Sequence, residues 1–249
     1  MYNREKALEA WKTFISSGEI LSGFVNPVIA RSWKRCREAG LDPWSSDFDA
    51  LNPSLLHEKR TIYCHSLEAT TPVMKFMSAL LGCNVSLQDA EDFVFELVTP
   101  LQVYPRTVGT FERESSVGTG NATIVGYEKK PVRVDGFEHY RSIAQSYAGV
   151  SAPYLDDKRG YYGALNFNSP FGLLPDNALD LCTTTVDLSN MLFEANRHNE
   201  RLLGTVEFYR PLLMMYRMPT LLLDLEGHVL STNTAMRPYC PDWEDYSYG

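Results

Sequence analysis

Residues 149–168 read GVSAPYLDDKRGYYGALNFN. Two runs in this stretch, 149–155 and 161–168, flank a polar turn at 156–160, and the pattern is typical of two antiparallel strands joined by a short connection. Just upstream, residues 131–134 predict another strand. Helical patterns surround these strands on both sides, so we expect an α+β fold built on an antiparallel sheet flanked by helices.

Three helical regions are predicted before this sheet. Apolar residues recur at helical spacing over residues 2–18. The pair Asn26 and Pro27 offers an N-cap and a first-turn proline for a second helix. A third region covers 52–82, and Pro72 inside it is expected to kink or split the helix.

Shorter elements fill the centre of the chain. Residues 84–88 and 93–98 predict two strands around the turn 89–92. Short helices are expected at 119–127 and 137–147, on either side of the strand at 131–134.

A long helix is predicted from Pro175 onward, and its apolar residues recur at alternating spacings of four and three, as in a heptad repeat. Its first turns are expected to cover their own domain, whereas the later turns are expected to pair with a second chain; the alternative is a surface helix packed on its own domain throughout. We expect Asn199 to set the register and Pro211 to interrupt the helix. The dimer seam is predicted at Leu188, Leu192, Ala195, Asn199, Leu202 and Val206.

Two more strands are predicted near the end, at 220–224 and 228–232, around a turn at 226–227. The expected organisation has three parts. Residues 1–52 form an N-terminal helical extension, residues 53–203 the domain that contains the sheet, and residues 204–249 the linker helix with the truncated start of another domain.

The composition excludes several classes of protein. Hydrophobic residues make up 44% of the 249 residues, which is enough for a core, and the net charge of −8 disfavours a broad nucleic-acid-binding face. One basic helix, 31–37, is read as a solvated or intersubunit face. The five scattered cysteines and the absence of a recognisable signal or membrane segment predict a reducing, cytoplasmic location.

No motif for catalysis or for a cofactor is present in the sequence. A P-loop, a C-x-x-C pair and a nucleophile elbow are all missing, and we therefore expect neither an enzyme nor a bound metal. The glycines Gly118, Gly120 and Gly126 fit a dinucleotide fingerprint poorly, and a tight turn is the better interpretation. Glu112 and Glu114, two residues apart, are read as solvated carboxylates.

The triplet Glu138, His139 and Tyr140 follows a strand near several aromatic residues. These side chains either satisfy local hydrogen bonds or serve as polar anchors of a partly apolar pocket, and the sequence leaves both interpretations open. The candidate effector-binding residues are Phe93, Phe95, Phe111, Asn121, Glu138, His139, Tyr140 and Ser151.

Several motifs resemble the GAF domain of sigma-54-dependent transcription activators, and most nearly the regulators of acetoin and of glycerol or dihydroxyacetone metabolism. They are VGTGNAT at 117–123, PVRVDGFEHY at 131–140, SAPYLD at 151–156, GALNF at 163–167, and SWKRC at 32–36 followed by GLDP at 40–43. Residues 221–233 more weakly resemble the opening of a PAS domain.

The resemblance implies a GAF-like sensory domain with a helical N-terminal extension and a long C-terminal linker helix. It implies that the domain controls an ATPase and a DNA-binding domain outside this sequence. The chain departs from the family around the presumed pocket, where GTGN at 118–121 replaces G-T-N-A, so the identity of an effector is not carried over.

Two functions follow as hypotheses. In the first, the chain binds a small-molecule effector and signals through a dimeric linker helix. In the second, it is an interaction and dimerisation module that binds a metabolic partner protein without a small ligand. Neither hypothesis includes direct contact with nucleic acid or with a membrane.

Overall fold

We describe the protein from a computed structural model. The described residues are 2–100, 108–156, 160–215, 217–223 and 227–239, with only the main chain described at 156, 197–213 and 215. The chain divides into two compact units, Met1–Met191 and Leu192–Gly249. The predicted boundaries at 52 and 203 stay predictions, and the predicted turns at 156–160 and 226–227 fall partly outside the described residues.

The first unit is built on a five-stranded antiparallel sheet. The strands are β1 (Asn84–Asp89), β2 (Val94–Val98), β3 (Val132–Asp135), β4 (Tyr147–Asp156) and β5 (Gly160–Pro170). Their order across the sheet is β2-β1-β5-β4-β3. The central strand β5 pairs with β1 on one side and with β4 on the other, so that Phe167 lies opposite both Val85 and Val150. The predicted pair of strands at 149–168 is therefore confirmed.

The two N-terminal helices are α1 (Arg4–Ser17), within the predicted helical region, and α2 (Pro27–Glu38), which begins at the predicted N-cap and proline. The Asn26 side chain accepts a hydrogen bond from the main-chain N–H of Val28 at 3.0 Å. Gly18 ends α1 with φ 81°, a conformation that glycine adopts without steric cost.

These helices are part of a hydrophobic core of their own. Trp11 and Phe14 of α1 and Trp33 of α2 are buried together with Ile124 and Val134. The indole N–H groups of both tryptophans donate to main-chain carbonyls, Trp11 to Tyr140 at 2.9 Å and Trp33 to Glu138 at 2.8 Å. The N-terminal helices are thus fixed to the segment that follows β3.

The third predicted helical region consists of two helices, α3 (Pro53–Ile62) and α4 (Cys64–Leu81), and the split occurs at Tyr63. Pro72 does not split the helix, because α4 continues through it; the kink expected as the other possibility stays a prediction. Proline removes one main-chain hydrogen bond, and the adjoining side chain of Val73 compensates by packing into the main core with Met74 and Met77.

The region between β2 and β4 contains two short helices, α5 (Glu114–Val117) and α6 (Asn121–Glu128). The predicted helix at 137–147 is wrong. The chain forms two short 3₁₀ turns, Gly136–Glu138 and Ser142–Ser146, with extended backbone at His139 and Arg141. The indole of Trp33 binds the Glu138 carbonyl in this segment, and such tertiary hydrogen bonds override the local helical preference.

The long helix α7 (Ala178–Met215) follows the sheet, and its first turns place Ala178, Cys182 and Val186 in the main core. The expected interruption at Pro211 is wrong, because the helix continues to Met215. Within the described residues, no helix is long and apolar enough to cross a bilayer.

The second unit contains a small antiparallel sheet of β6 (Leu221–Leu223) and β7 (Val229–Thr232), as predicted. The Asn233 side chain holds the start of β6, since it accepts from the Thr220 N–H at 3.1 Å and donates to the Met218 carbonyl at 2.7 Å. That this pair of strands opens a PAS-like domain stays a prediction.

Candidate functional site

A cavity of about 320 Å³ lies in the first unit, beside the N-terminus of α6. Its walls come from the segment before α3, the loop before α5, the glycine loop at 118–120, the 3₁₀ turns after β3, and the adjoining ends of β4 and β5. Both aromatic rings and polar groups face it. Among the lining residues are Phe48, Phe111, Glu112, Asn121, His139, Arg141, Tyr147 and Asn168.

Three of the eight predicted effector-binding residues line this cavity: Phe111, Asn121 and His139. Phe93 lies behind the wall, where its ring meets that of Phe111 edge-to-face at 5.0 Å. Phe95 is buried elsewhere, stacked on Tyr63 with 4.7 Å between ring centroids. The structure therefore brings part of the predicted set together.

Glu138 and Tyr140 point away from the cavity. The Glu138 carboxylate accepts a hydrogen bond from the Asp135 N–H at 2.8 Å and borders a separate groove near the N-terminus. Its burial raises the pKa of this carboxyl to about 7. The Tyr140 hydroxyl donates to the Leu41 carbonyl at 3.3 Å, and its ring packs against Phe14. The contact of Glu138 is local, whereas Tyr140 contacts residues far away in the sequence.

Ser151 belongs to a buried polar network beneath the cavity wall. Its hydroxyl accepts from the Asn121 amide at 2.8 Å and donates to the Asn166 amide oxygen at 2.5 Å. Asn166 in turn donates to the Gln88 amide oxygen at 3.1 Å. The network links α6 to three neighbouring strands and so fixes the side chain of Asn121 at the cavity.

The sequence analysis did not select Glu112 as a site residue. Glu112 is half-buried at the cavity wall, and the desolvation of its carboxyl together with the charge of Asp92 raises its pKa to about 7. Burial likewise lowers the pKa of His139 to about 4, so this imidazole is neutral near pH 7. The ring Nδ1 of His139 lies 3.0 Å from the Gly136 carbonyl.

Arg141 is a second residue that sequence reasoning missed, although it directly follows the triplet at 138–140. Its side chain is buried, and burial lowers the pKa of the guanidinium. The guanidinium donates to the Ser45 carbonyl at 3.0 Å and to the Ser116 carbonyl at 3.0 Å, and it lies 5.3 Å from the ring centroid of Phe48. Arg141 thereby holds the segment before α3 against the cavity.

The interpretation of Glu114 as a solvated carboxylate is wrong, because this residue is buried with a relative exposure of 3%. Arg35 of α2 binds it through two hydrogen bonds of 2.5 and 2.9 Å. The Ser32 hydroxyl also donates to it and lies 2.7 Å from the Thr119 hydroxyl. The SWKRC motif therefore anchors α2 to the glycine loop at the cavity. It also contains the buried Cys36, whose burial raises the thiol pKa to about 11.

The predicted dimer seam lies on α7. Leu188 is 43% exposed and Leu192 is 37% exposed, and Ala195 is exposed as well. Asn199, Leu202 and Val206 lie outside the residues whose side chains are described. Within the described part of the chain, no group of three or more His, Cys, Asp or Glu side chains could hold a metal ion.

Sequence comparison finds a regulator. The chain is 21% identical over 251 residues to the acetoin dehydrogenase operon transcriptional activator AcoR of Bacillus subtilis (strain 168). The match covers 95% of this chain and 40% of AcoR, so the chain spans less than half the length of that relative. No protein-family model matches the chain.

Structural comparison finds the same fold in a solved structure. A chain in the crystal structure of the E. coli DhaR(N)–DhaL complex matches with a TM-score of 0.66 and 15% identity, over 86% of this chain and 76% of that one. The cofactor-binding GAF domain of CodY from Clostridium difficile matches with a TM-score of 0.32 and 14% identity, over 55% of this chain and 95% of that domain.

These comparisons confirm the α+β fold and the resemblance to regulators of acetoin and dihydroxyacetone metabolism. AcoR is named as a transcriptional activator, and this supports the expectation that the chain has no catalytic role.

Proposed function

We propose that this chain is the signal-receiving region of a sigma-54-dependent transcription activator, and that its cavity binds a small-molecule effector. The observation that carries the proposal is the cavity of about 320 Å³, which combines aromatic walls with a few fixed polar groups. Small-molecule sites in proteins have this composition and begin at about this size. The similarity to AcoR over 95% of the chain supports the regulatory role.

A ligand in this cavity would act on elements that are hydrogen-bonded to the residues of its walls. The glycine loop at 118–120 contacts α2 through Thr119 and Ser32, and Arg141 holds the segment that joins α2 to α3. An effector controls the protein only if it binds one arrangement of these elements more tightly than another. We propose that the resulting shift reaches the ATPase and DNA-binding domains of the full-length regulator through α7, paired with α7 of a second chain.

The alternative function is binding of a partner protein. The observation that favours it is the structural match to a chain of the DhaR(N)–DhaL complex. In this case the signal would be the partner itself, and the cavity would be a by-product of packing.

A substitution that fills the cavity separates the two functions. Ala144 is half-buried at the cavity wall, so Ala144→Trp occupies the space, and Ala90→Trp on an exposed turn is the matched control. We would measure thermal shifts with small carbonyls, diols, amines and aromatic acids. A ligand at 100 times its Kd stabilises the protein by about 2.7 kcal/mol. Binding by the wild type and the Ala90→Trp control but not by Ala144→Trp supports the effector site. If no compound binds, while both tryptophan variants still bind a partner protein, the alternative function is correct.

A further inference from the structure

The geometry points to a specific class of ligand, and this inference rests on the proposed effector site: the cavity takes a small molecule with a protonated amine, and Glu112 is the anchor of that amine. The first observation is the negative charge of the side chains at the cavity that can still accept a hydrogen bond from a ligand. Glu112 and Asp49 line the cavity with carboxyl groups, and Asp92 lies behind Glu112, with its main-chain carbonyl 2.7 Å from the Glu112 N–H.

Within the described part of the chain, the cations near the cavity already have partners. The guanidinium of Arg141 is bound to the carbonyls of Ser45 and Ser116, and the charges of Asp42 and Asp47 also act on it. His139 lines the cavity as a neutral imidazole. Among the described lining residues, a ligand therefore meets carboxyl groups that still have acceptor capacity.

The Glu112 carboxyl is the least satisfied of these groups. Within the described residues no hydrogen bond to its side chain is found, whereas Asp49 accepts one from the Ser116 hydroxyl at 3.3 Å. Among the described residues, the charged or titratable groups near Glu112 are Asp92, Asp49, Arg113, Arg141 and the neutral imidazole of His139. The guanidinium of Arg113 makes a cation–π contact with the ring of Phe111, whose centroid lies 3.8 Å away. An ammonium group beside Glu112 would satisfy its carboxylate with a charge-assisted hydrogen bond.

The aromatic rings fit the same ligand. Phe48, Phe111 and Tyr147 line the cavity, and the faces of aromatic rings attract cations within about 6 Å. The volume of about 320 Å³ lies at the lower end of the range for small-molecule sites, so it suits a compact ligand. The inferred ligand is therefore a compact primary amine with an apolar portion.

Calorimetric titration with paired probes tests this inference. Each amine is compared with an uncharged compound of the same shape: benzylamine with benzyl alcohol, and ethanolamine with ethylene glycol. The proteins are the wild type, Glu112→Gln, and the control Glu58→Gln, which removes the same charge from an exposed position on α3.

We expect at least one amine to bind about tenfold or more tightly than its uncharged partner, and to bind about tenfold more tightly at pH 8 than at pH 6 because Glu112 then ionises. Glu112→Gln abolishes this preference and Glu58→Gln retains it. Equal binding of the paired compounds, a preference that survives Glu112→Gln, or no binding by any amine of the panel overturns the inference. If an uncharged or acidic compound binds the wild type and Ala144→Trp abolishes that binding, the inference that the ligand is an amine is wrong, but the proposal of an effector site is retained. The proposed function fails separately if no compound of any class shows binding that Ala144→Trp abolishes.

Discussion

The attachment of α2 to the sensory domain can be tested with two matched ion pairs. Arg35 pairs with Glu114, which has 2% side-chain exposure, and Arg31 pairs with Glu128, where the arginine side chain is 52% exposed. Both pairs join α2 to the body of the first unit. They differ in burial, and burial determines how much each pair contributes to stability.

We expect Glu114→Gln to destabilise the protein by about 3 kcal/mol, because it removes the charged partner of a largely buried arginine. For a protein of this size that corresponds to a fall in Tm of roughly 6–12 °C. Glu128→Gln should change stability by about 1 kcal/mol or less, because exposed ion pairs are screened by water. Thermal unfolding followed by circular dichroism measures both changes.

Limited proteolysis identifies the source of the effect. If Glu114 anchors α2, its substitution increases cleavage between α2 and α3, at residues 41–52, before the sheet is digested. Equal and small effects of Glu114→Gln and Glu128→Gln on Tm, with unchanged cleavage at 41–52, would refute the assignment of the SWKRC motif as an anchor.

Three further predictions concern the network, the cavity and the helix. A side chain at Gly149 would overlap the amide oxygens of Asn121 and Asn168, so Gly149→Ala should lower the free energy of unfolding, measured with urea, by about 1–3 kcal/mol. The control is Gly120→Ala, whose added carbon has its nearest neighbour at 4.0 Å and which should change the free energy of unfolding by less than about 1 kcal/mol. Equal effects of the two substitutions would contradict this prediction. The pKa of Glu112 is raised to about 7 from an ordinary value of 4.5, so its contribution to stability is present below pH 4.5 and is lost as the pH rises to 7; Tm measured from pH 4 to 8 should therefore shift in favour of Glu112→Gln, and parallel profiles would argue against a buried Glu112. Leu188→Arg places a charge on the predicted seam at a residue that is 43% exposed, and sedimentation should show half the wild-type mass, whereas an unchanged mass would exclude Leu188 from the dimer interface.

Local signals in the sequence were sufficient to predict most helix ends and strands. Asn26 and Pro27 begin α2, Gly18 ends α1, and Gly82 ends α4, because caps and left-handed glycines act within a few residues. The strands of the central sheet could also be predicted from local sequence, because apolar runs bounded by polar turns are local signals.

The conformation of the segment 137–147 could not be predicted from local sequence, because it depends on groups that are distant in sequence. The indole of Trp33 binds the Glu138 carbonyl from 105 residues away, and the guanidinium of Arg141 binds Ser45 from 96 residues away. No local pattern carries these contacts.

The candidate site shows the same limit. Glu112 and Glu114 differ little in local sequence, yet Glu114 meets Arg35 from 79 residues away while Glu112 faces the cavity. Residues such as Phe111 and His139 could be chosen by type and position. The choice between lining a cavity and packing behind it, as for Phe93, depends on the tertiary fold.

Native mass spectrometry of the chain after incubation with a small-molecule extract of cells tests the effector site most directly. Given a cavity of about 320 Å³, we predict that the wild type and Ala90→Trp each retain one molecule of roughly 200 Da or less, and that Ala144→Trp retains none. Retention of the same molecule by all three proteins, or by none of them, would contradict the account.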